Sequence, residues 1–399
     1  MKIAHYTSLL TIALCLCLSA CDKEAAKEQS SVESAPKTEA KPTLDAQKLQ
    51  TANNYLFAQG EEAIDSSLES AQLLTAAINS FLATPSQQSL AQAQQQWIAI
   101  ALAYRQFFYD KQIALVDPGS FAELNKADFR IGTFPIQPGF IDAFGEYKYS
   151  GMVFDAGFEL TKESLSHQHG LTDVSEVVLG IHAIEFLLFN IDGKRQAEDF
   201  NAVTSLSESD KENGYQKAAE LPNNRRREIL RLQADILLDD LRELKNIWLS
   251  QELTRGTWLA LSAGQQTSKA KRTLTNSLTN LMVEIGDINA EATEDRELTV
   301  PPSILNNTFS IKRQYLTKAL SSCQAGVLFL AEEGKLKEKK KHVEKLLNEA
   351  LAHLATAESK ANNDKKDSQA EASDDKKHTE FWQTAFSNLK EITEALLKN

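Results

Sequence analysis

The chain has 399 residues, 42% hydrophobic and 25% charged, with 43 Lys and Arg against 55 Asp and Glu for a formal net charge of −12. That is enough apolar material for a packed core, and the length suggests two domains of roughly 100–200 residues each. The acidic balance argues against a nucleic-acid partner, which needs a basic face. The low proline, glycine and cysteine counts exclude collagen-like and disulfide-stapled chains, and a composition rich in Ala, Leu, Gln, Glu and Lys points to an all-α fold.

Residues 1–20 read as a lipoprotein signal peptide. Lys2 supplies a positive start, and Leu9–Leu18 is an apolar run too short to span a bilayer comfortably but suited to a secretory signal. The string Leu18-Ser19-Ala20-Cys21 resembles a bacterial lipobox, in which the cysteine takes the lipid and becomes the first mature residue. The expectation is a protein anchored in the cell envelope through Cys21, facing the periplasm, with the choice of inner or outer membrane open. Residues 21–43 then form a disordered tether, since Asp22–Pro42 is rich in Lys, Glu, Ala and Ser and nearly lacks large apolar side chains. Cys15 and Cys17 leave with the signal and Cys21 is acylated, so Cys323 alone remains and reads as a buried small hydrophobe.

From Leu44 onward, apolar stripes at helical period dominate. One runs Leu90, Trp97, Ala101, Tyr104, Phe108; another Leu230, Leu237, Leu241, Leu244, Trp248. A third runs Leu336, Val343, Leu347, Ala350, Leu354, and the last Trp382, Phe386, Leu389, Ile392, Leu396. Each has a polar opposite face and is expected to pack into a bundle. Asp117–Tyr149 carries three prolines and reads as a long irregular connection of the kind that often serves function. The polar stretch Ile191–Asn224 reads as the link between two halves, 44–195 and 196–399. The charged, low-complexity segment near 358–377 reads as a mobile loop, and the basic run Lys335–Lys341 as the solvated start of a helix.

The chemically informative string is Val177–Phe189, a strongly apolar helix that carries His182 and Glu185. Their i, i+3 spacing puts both on one face. A charged carboxylate in apolar surroundings is costly unless paired or metal-bound, and bundles do build metal sites from Glu and His three apart. Imidazole plus carboxylate suits zinc, iron or manganese. A metal-free His–Glu hydrogen bond is the competing reading of the same spacing. Gly180 costs helix stability, which suggests close backbone packing. The zinc-protease helix, the nucleophile-elbow serine, a phosphate-cradling loop and Cys-x-x-Cys are absent from the sequence. His167 and His169 precede a helix stop at Gly170 and read as a solvated pair; His342, His353 and His378 read as surface residues.

Gly180-x-His182-x-x-Glu185 resembles the signature of the imelysin-like family of bacterial envelope proteins. Phe134-Pro135 through Gly139-Phe140-Ile141-Asp142 is similar to the family's Trp-Pro segment ending Gly-x-Ile-Asp, with Phe134 in place of Trp. Trp97 and Arg105 fit its early helix, and Asp110 stands where an acidic residue, commonly Glu, is expected. The Arg-rich stretch Asn224–Trp248 fits its second half. The resemblance implies two helical-bundle domains, each similar to a four-helix bundle, packed side by side, with His182 and Glu185 in a pocket near their junction. It implies these two as metal ligands, with Gly180, Arg105, Asp110, Asp142 and Trp97 as pocket candidates and Arg105 suited to an anionic group.

Iron or zinc is the implied metal, haem a further candidate cofactor, and an iron-bearing small ligand or envelope uptake and redox proteins the implied partners. The function expected is metal or iron-ligand binding in iron uptake or handling. One alternative is a metallopeptidase, after the family's name. Zinc hydrolysis needs about three protein ligands, an open position and a base. His182 and Glu185 supply two at most, so the expectation leans away from an enzyme. The other alternative is an envelope interaction protein without metal.

Overall fold

Helix formers in long runs, with proline among the described residues kept to helix starts and connecting stretches, leave the chain little else to form than helices. The computed structural model describes residues 44–291, 309–330, 335–361, 383–385 and 387–396. The expected signal peptide, Cys21, the tether to residue 43 and residues 362–377 of the expected loop lie outside the described residues, as do Trp382 and Phe386. Among the described residues every regular element is a helix, so the all-α expectation holds.

Helix α1 (Ala46–Ala83) starts where the Asp45 carboxylate accepts the Lys48 amide at 2.9 Å. It buries Leu56, Ile64, Leu74, Ile78 and Phe81 along one face. A Ser86–Ser89 capping box opens α2 (Gln87–Tyr104). The stripe from Leu90 to Phe108 is buried throughout. The helix is not continuous, however: a 3₁₀ turn at Arg105–Phe107 separates α2 from α3 (Phe108–Val116). Three residues per turn in place of 3.6 rotate the chain beyond the turn by about 60° relative to a straight α-helix.

The stretch Asp117–Tyr149 is less irregular than expected. It contains α4 (Ala122–Gly132) and the single turn α5 (Pro138–Ile141). Pro118 and Pro135 fall outside α4, so they bound that helix and do not break it. Then follow α6 (Lys162–Gln168), α7 (Gly180–Phe189), α8 (Glu208–Glu212) and α9 (Pro222–Leu249). All ten residues of α7 are buried, as suits a helix apolar on every side. It packs against α2, α4 and α9, and α9 also lies along α1 and α4.

The chain continues through α10 (Thr254–Leu259), α11 (Ala263–Glu291), α12 (Phe309–Ser322), α13 (Gln324–Leu328) and α14 (Lys335–Ala361). α14 begins at the expected basic run and continues through Ala361, so the first residues of the segment expected as a loop from 358 are helical. Leu389, Ile392 and Leu396 of the last helical stretch are buried, as is Cys323. α11 packs on α3, and α12 on the Arg105–Phe107 turn and α14. Pro42–Asn399 forms one compact unit by its contacts; bundles over 44–195 and 196–399 remain a proposal for its folding subunits. Among the described residues no helix is long and apolar enough to cross a membrane.

Candidate functional site

The site is built around the N-terminal half of α7. Its backbone, with the residues just before it, is held by four side chains, two of them from α2. Trp97 of α2 donates its indole N–H to the Ile181 carbonyl at 2.7 Å, and Gln94 donates to Leu188 O at 2.8 Å. Gln233 of α9 donates to Val178 O at 2.9 Å. Arg195 donates through Nε to Leu187 O and through Nη2 to Phe186 O, a cation on the last carbonyls of the helix. The Gly180 expectation is met directly. Its φ is +83°, and a Cβ there would run into the carbonyls of Arg130 and Ile131 at the end of α4.

His169 corrects the expectation of a solvated pair with His167. It is buried, because it serves the backbone at the start of α7. Its Nε2 is 3.0 Å from Phe129 O, and its Nδ1 accepts the amides of Val178 and Leu179 at 3.3 Å each. A carbonyl at one nitrogen and two amides at the other require the neutral ring with the proton on Nε2. Burial lowers its pKa from 6.5 to about 4. His342 is exposed as expected, 3.3 Å from Glu391, while the side chains of His353 and His378 lie outside the described residues.

His182 and Glu185 are both buried, and the His182 Nδ1–H donates to Glu185 Oε2 at 2.7 Å. This leaves Nε2 without a hydrogen-bond partner among the described residues. The arrangement is that of a carboxylate orienting an imidazole whose other nitrogen does the binding. The Phe134 ring, 43% exposed, lies 4.8 Å from the imidazole centroid.

His182 lines a cleft with Tyr104, Arg105, Lys111 and Tyr315. The enclosed space is small, enough for roughly one or two water molecules. Arg105 is buried, with Cζ 4.2 Å from the Phe108 ring centroid and 4.1 Å from that of Tyr315. Its Nη2 donates to Glu284 of α11 at 2.5 Å. Lys111 and the Tyr104 hydroxyl both donate to Asp128 Oδ1, at 2.9 and 2.6 Å. Burial raises the pKa of both cleft tyrosines, so each is a neutral phenol.

The other sequence candidates lie apart from this cleft. Trp97 is fully buried behind α7, 6.5 Å between centroids from His182. Asp110 is fully buried; its Oδ2 accepts from Gln59 at 3.3 Å and its Oδ1 has no partner among the described residues. Burial holds its carboxyl well above the usual range. Asp142 is fully buried in a bidentate pair with Arg226 of α9, at 2.6 and 3.0 Å, with Arg195 at 3.4 Å. Tyr104 read as core from its stripe, whereas Lys111, Tyr315 and Glu284 carried no signal in the sequence. Among the described residues no group of three or more His, Cys, Asp or Glu side chains is placed to hold a metal ion. His182 and Glu185 are an incomplete set for a resident metal. A metal held by the described residues would have to bring ligands of its own.

The imelysin family model matches residues 61–396. A crystal structure from Parabacteroides distasonis, of a candidate iron-regulated protein A precursor, is similar in fold, with a TM-score of 0.54 and 15% identity over 90% of this chain and 96% of that one. No curated protein matches the chain.

Proposed function

Because this chain belongs to the imelysin family, we propose that it is a lipid-anchored protein of the bacterial envelope that binds iron as a small chelate at His182, in iron uptake or handling. One observation carries this reading. His182 is fixed by Glu185 through Nδ1 and lines a cleft, while among the described residues the donors are too few for a resident metal. Iron is then cargo that arrives with most of its coordination sphere filled, and His182 takes one position. The similarity in fold to a protein named for iron regulation supports the theme.

The test is ferric-chelate binding by equilibrium dialysis, with iron counted by elemental analysis, on protein carrying no histidine tag. Binding is expected to be lost in His182→Ala and to fall about 10–100-fold in Glu185→Gln, the range for groups that orient a ligating histidine. Both variants should melt near the wild-type temperature. Binding that survives His182→Ala removes the reading. A collapse of the fold in both variants favours the metal-free structural pair.

Anchoring is tested separately. Labelled fatty acid supplied to expressing bacteria is expected to enter the wild-type protein and not Cys21→Ser, with the variant released from the membrane fraction. Equal labelling of both overturns the anchor at Cys21.

A further inference from the structure

We infer that the ligand of the His182 cleft presents a carboxylate group to Arg105, displacing Glu284, which pairs with that guanidinium in this structure; this rests on the reading of the cleft as a ligand site. Cζ lies 4.2 and 4.1 Å from the Phe108 and Tyr315 ring centroids, and Nη1 reaches the Tyr315 hydroxyl at 3.5 Å, which leaves the Nε–Nη2 edge for an acidic partner. On one edge Nη2 donates to a single oxygen of Glu284, while Nε is buried and has no acceptor among the described residues. Nε and Nη2 are the two prongs of one fork, whose natural partner is both oxygens of one carboxylate. Glu284 fills half of it.

Glu284 also has the properties of a replaceable partner. Its side chain is 36% exposed, against 8% for Arg105, and it makes one bond where a carboxylate can make two. When it swings into solvent it vacates a carboxylate-sized space beside a cleft that holds roughly one or two waters. The space that Glu284 leaves fits the planar carboxylate it held better than a tetrahedral phosphate. The charges agree: Lys111 keeps its Asp128 partner, but once Glu284 leaves, Arg105 stands at the cleft without its carboxylate, which favours an anionic group there. A chelate whose carboxylate reaches Arg105 turns its metal toward His182.

The test uses metal-free calorimetry on the full mature protein with citrate, oxalate and inorganic phosphate. Citrate or oxalate is expected to bind, at least tenfold more tightly than phosphate. Arg105→Lys, which keeps the charge and loses the fork, should weaken binding at least tenfold, and Glu284→Gln should tighten it severalfold. Carboxylate binding is read without metal and iron binding by dialysis with metal, so failure of the iron reading and failure of this one are told apart. If Arg105→Lys does not fold, the Glu284→Gln result decides. The inference is overturned if neither carboxylate binds wild type or Glu284→Gln, if Glu284→Gln does not tighten binding, if a folded Arg105→Lys binds as well as wild type, or if phosphate is preferred.

Discussion

Replacing Asp142 with Asn is expected to destabilise the protein by about 3–5 kcal/mol, the cost of removing one partner from a buried ion pair. Asp142 is fully buried, and Arg226 meets both its oxygens while Arg195 stands 3.4 Å from one of them. Burial already lowers the pKa of Arg195, opposed by Asp142 and reinforced by the like charge of Arg226. Without Asp142 the two guanidinium groups face each other with only Asp199, 3.5 Å from Arg195 and 41% exposed, to offset them. Arg195 also holds the Leu187 and Phe186 carbonyls, so the loss reaches α7 and through it His182. Urea unfolding measures the effect. Asp199→Asn is the control and should cost no more than about 1 kcal/mol, as for other partly exposed pairs. A change of similar size in both variants would show that the buried charge is not what stabilises this junction.

The second large effect is acid loss of stability through His169, of about 3 kcal/mol between pH 6.5 and 4. In the fold the ring is held neutral by Phe129 O on Nε2 and two amides on Nδ1. Its pKa is lowered from 6.5 to about 4, chiefly by burial; the bond to Phe129 opposes this and the Arg130 charge adds to it. Above pH 6.5 both folded and unfolded forms are neutral, and the stabilisation is fully present. As pH falls below 6.5 the unfolded chain binds a proton that the folded one refuses, and stability drops until the folded ring protonates near pH 4. At about 1.4 kcal/mol per pKa unit, the shift gives the quoted loss. The check is the difference in unfolding free energy between wild type and His169→Asn across that window. It should shrink steadily toward pH 4, and protection of the Val178 and Leu179 amides from exchange should fall with it. A difference that stays level with pH rules the mechanism out.

Much of the local architecture was legible in the residues. The stripe from Leu230 to Trp248 became one face of α9, and the i, i+3 spacing of His182 and Glu185 became a 2.7 Å hydrogen bond. Gly180 signalled close backbone packing, and the carbonyls of Arg130 and Ile131 lie against it. Such features depend on helical period and on the space that a side chain needs, and both are properties of neighbouring residues. Asp142 was recognised through a motif, but its partner Arg226 is 84 residues away. His169 read as solvated because its own neighbours are polar, yet it serves a carbonyl 40 residues upstream.

By itself the sequence determined the helical class, the placement of most apolar stripes, the His182–Glu185 pair and close backbone packing at Gly180. Tertiary structure alone decided what surrounds that pair. Arg105 meets Glu284 and Tyr315 across 179 and 210 residues, and the break at Arg105–Phe107 lies where periodicity predicted a straight helix. The physical reason is that helix formation follows short-range spacing, whereas the partner of a buried charge is whichever side chain packing brings within reach, and a single sequence carries no local mark of that meeting.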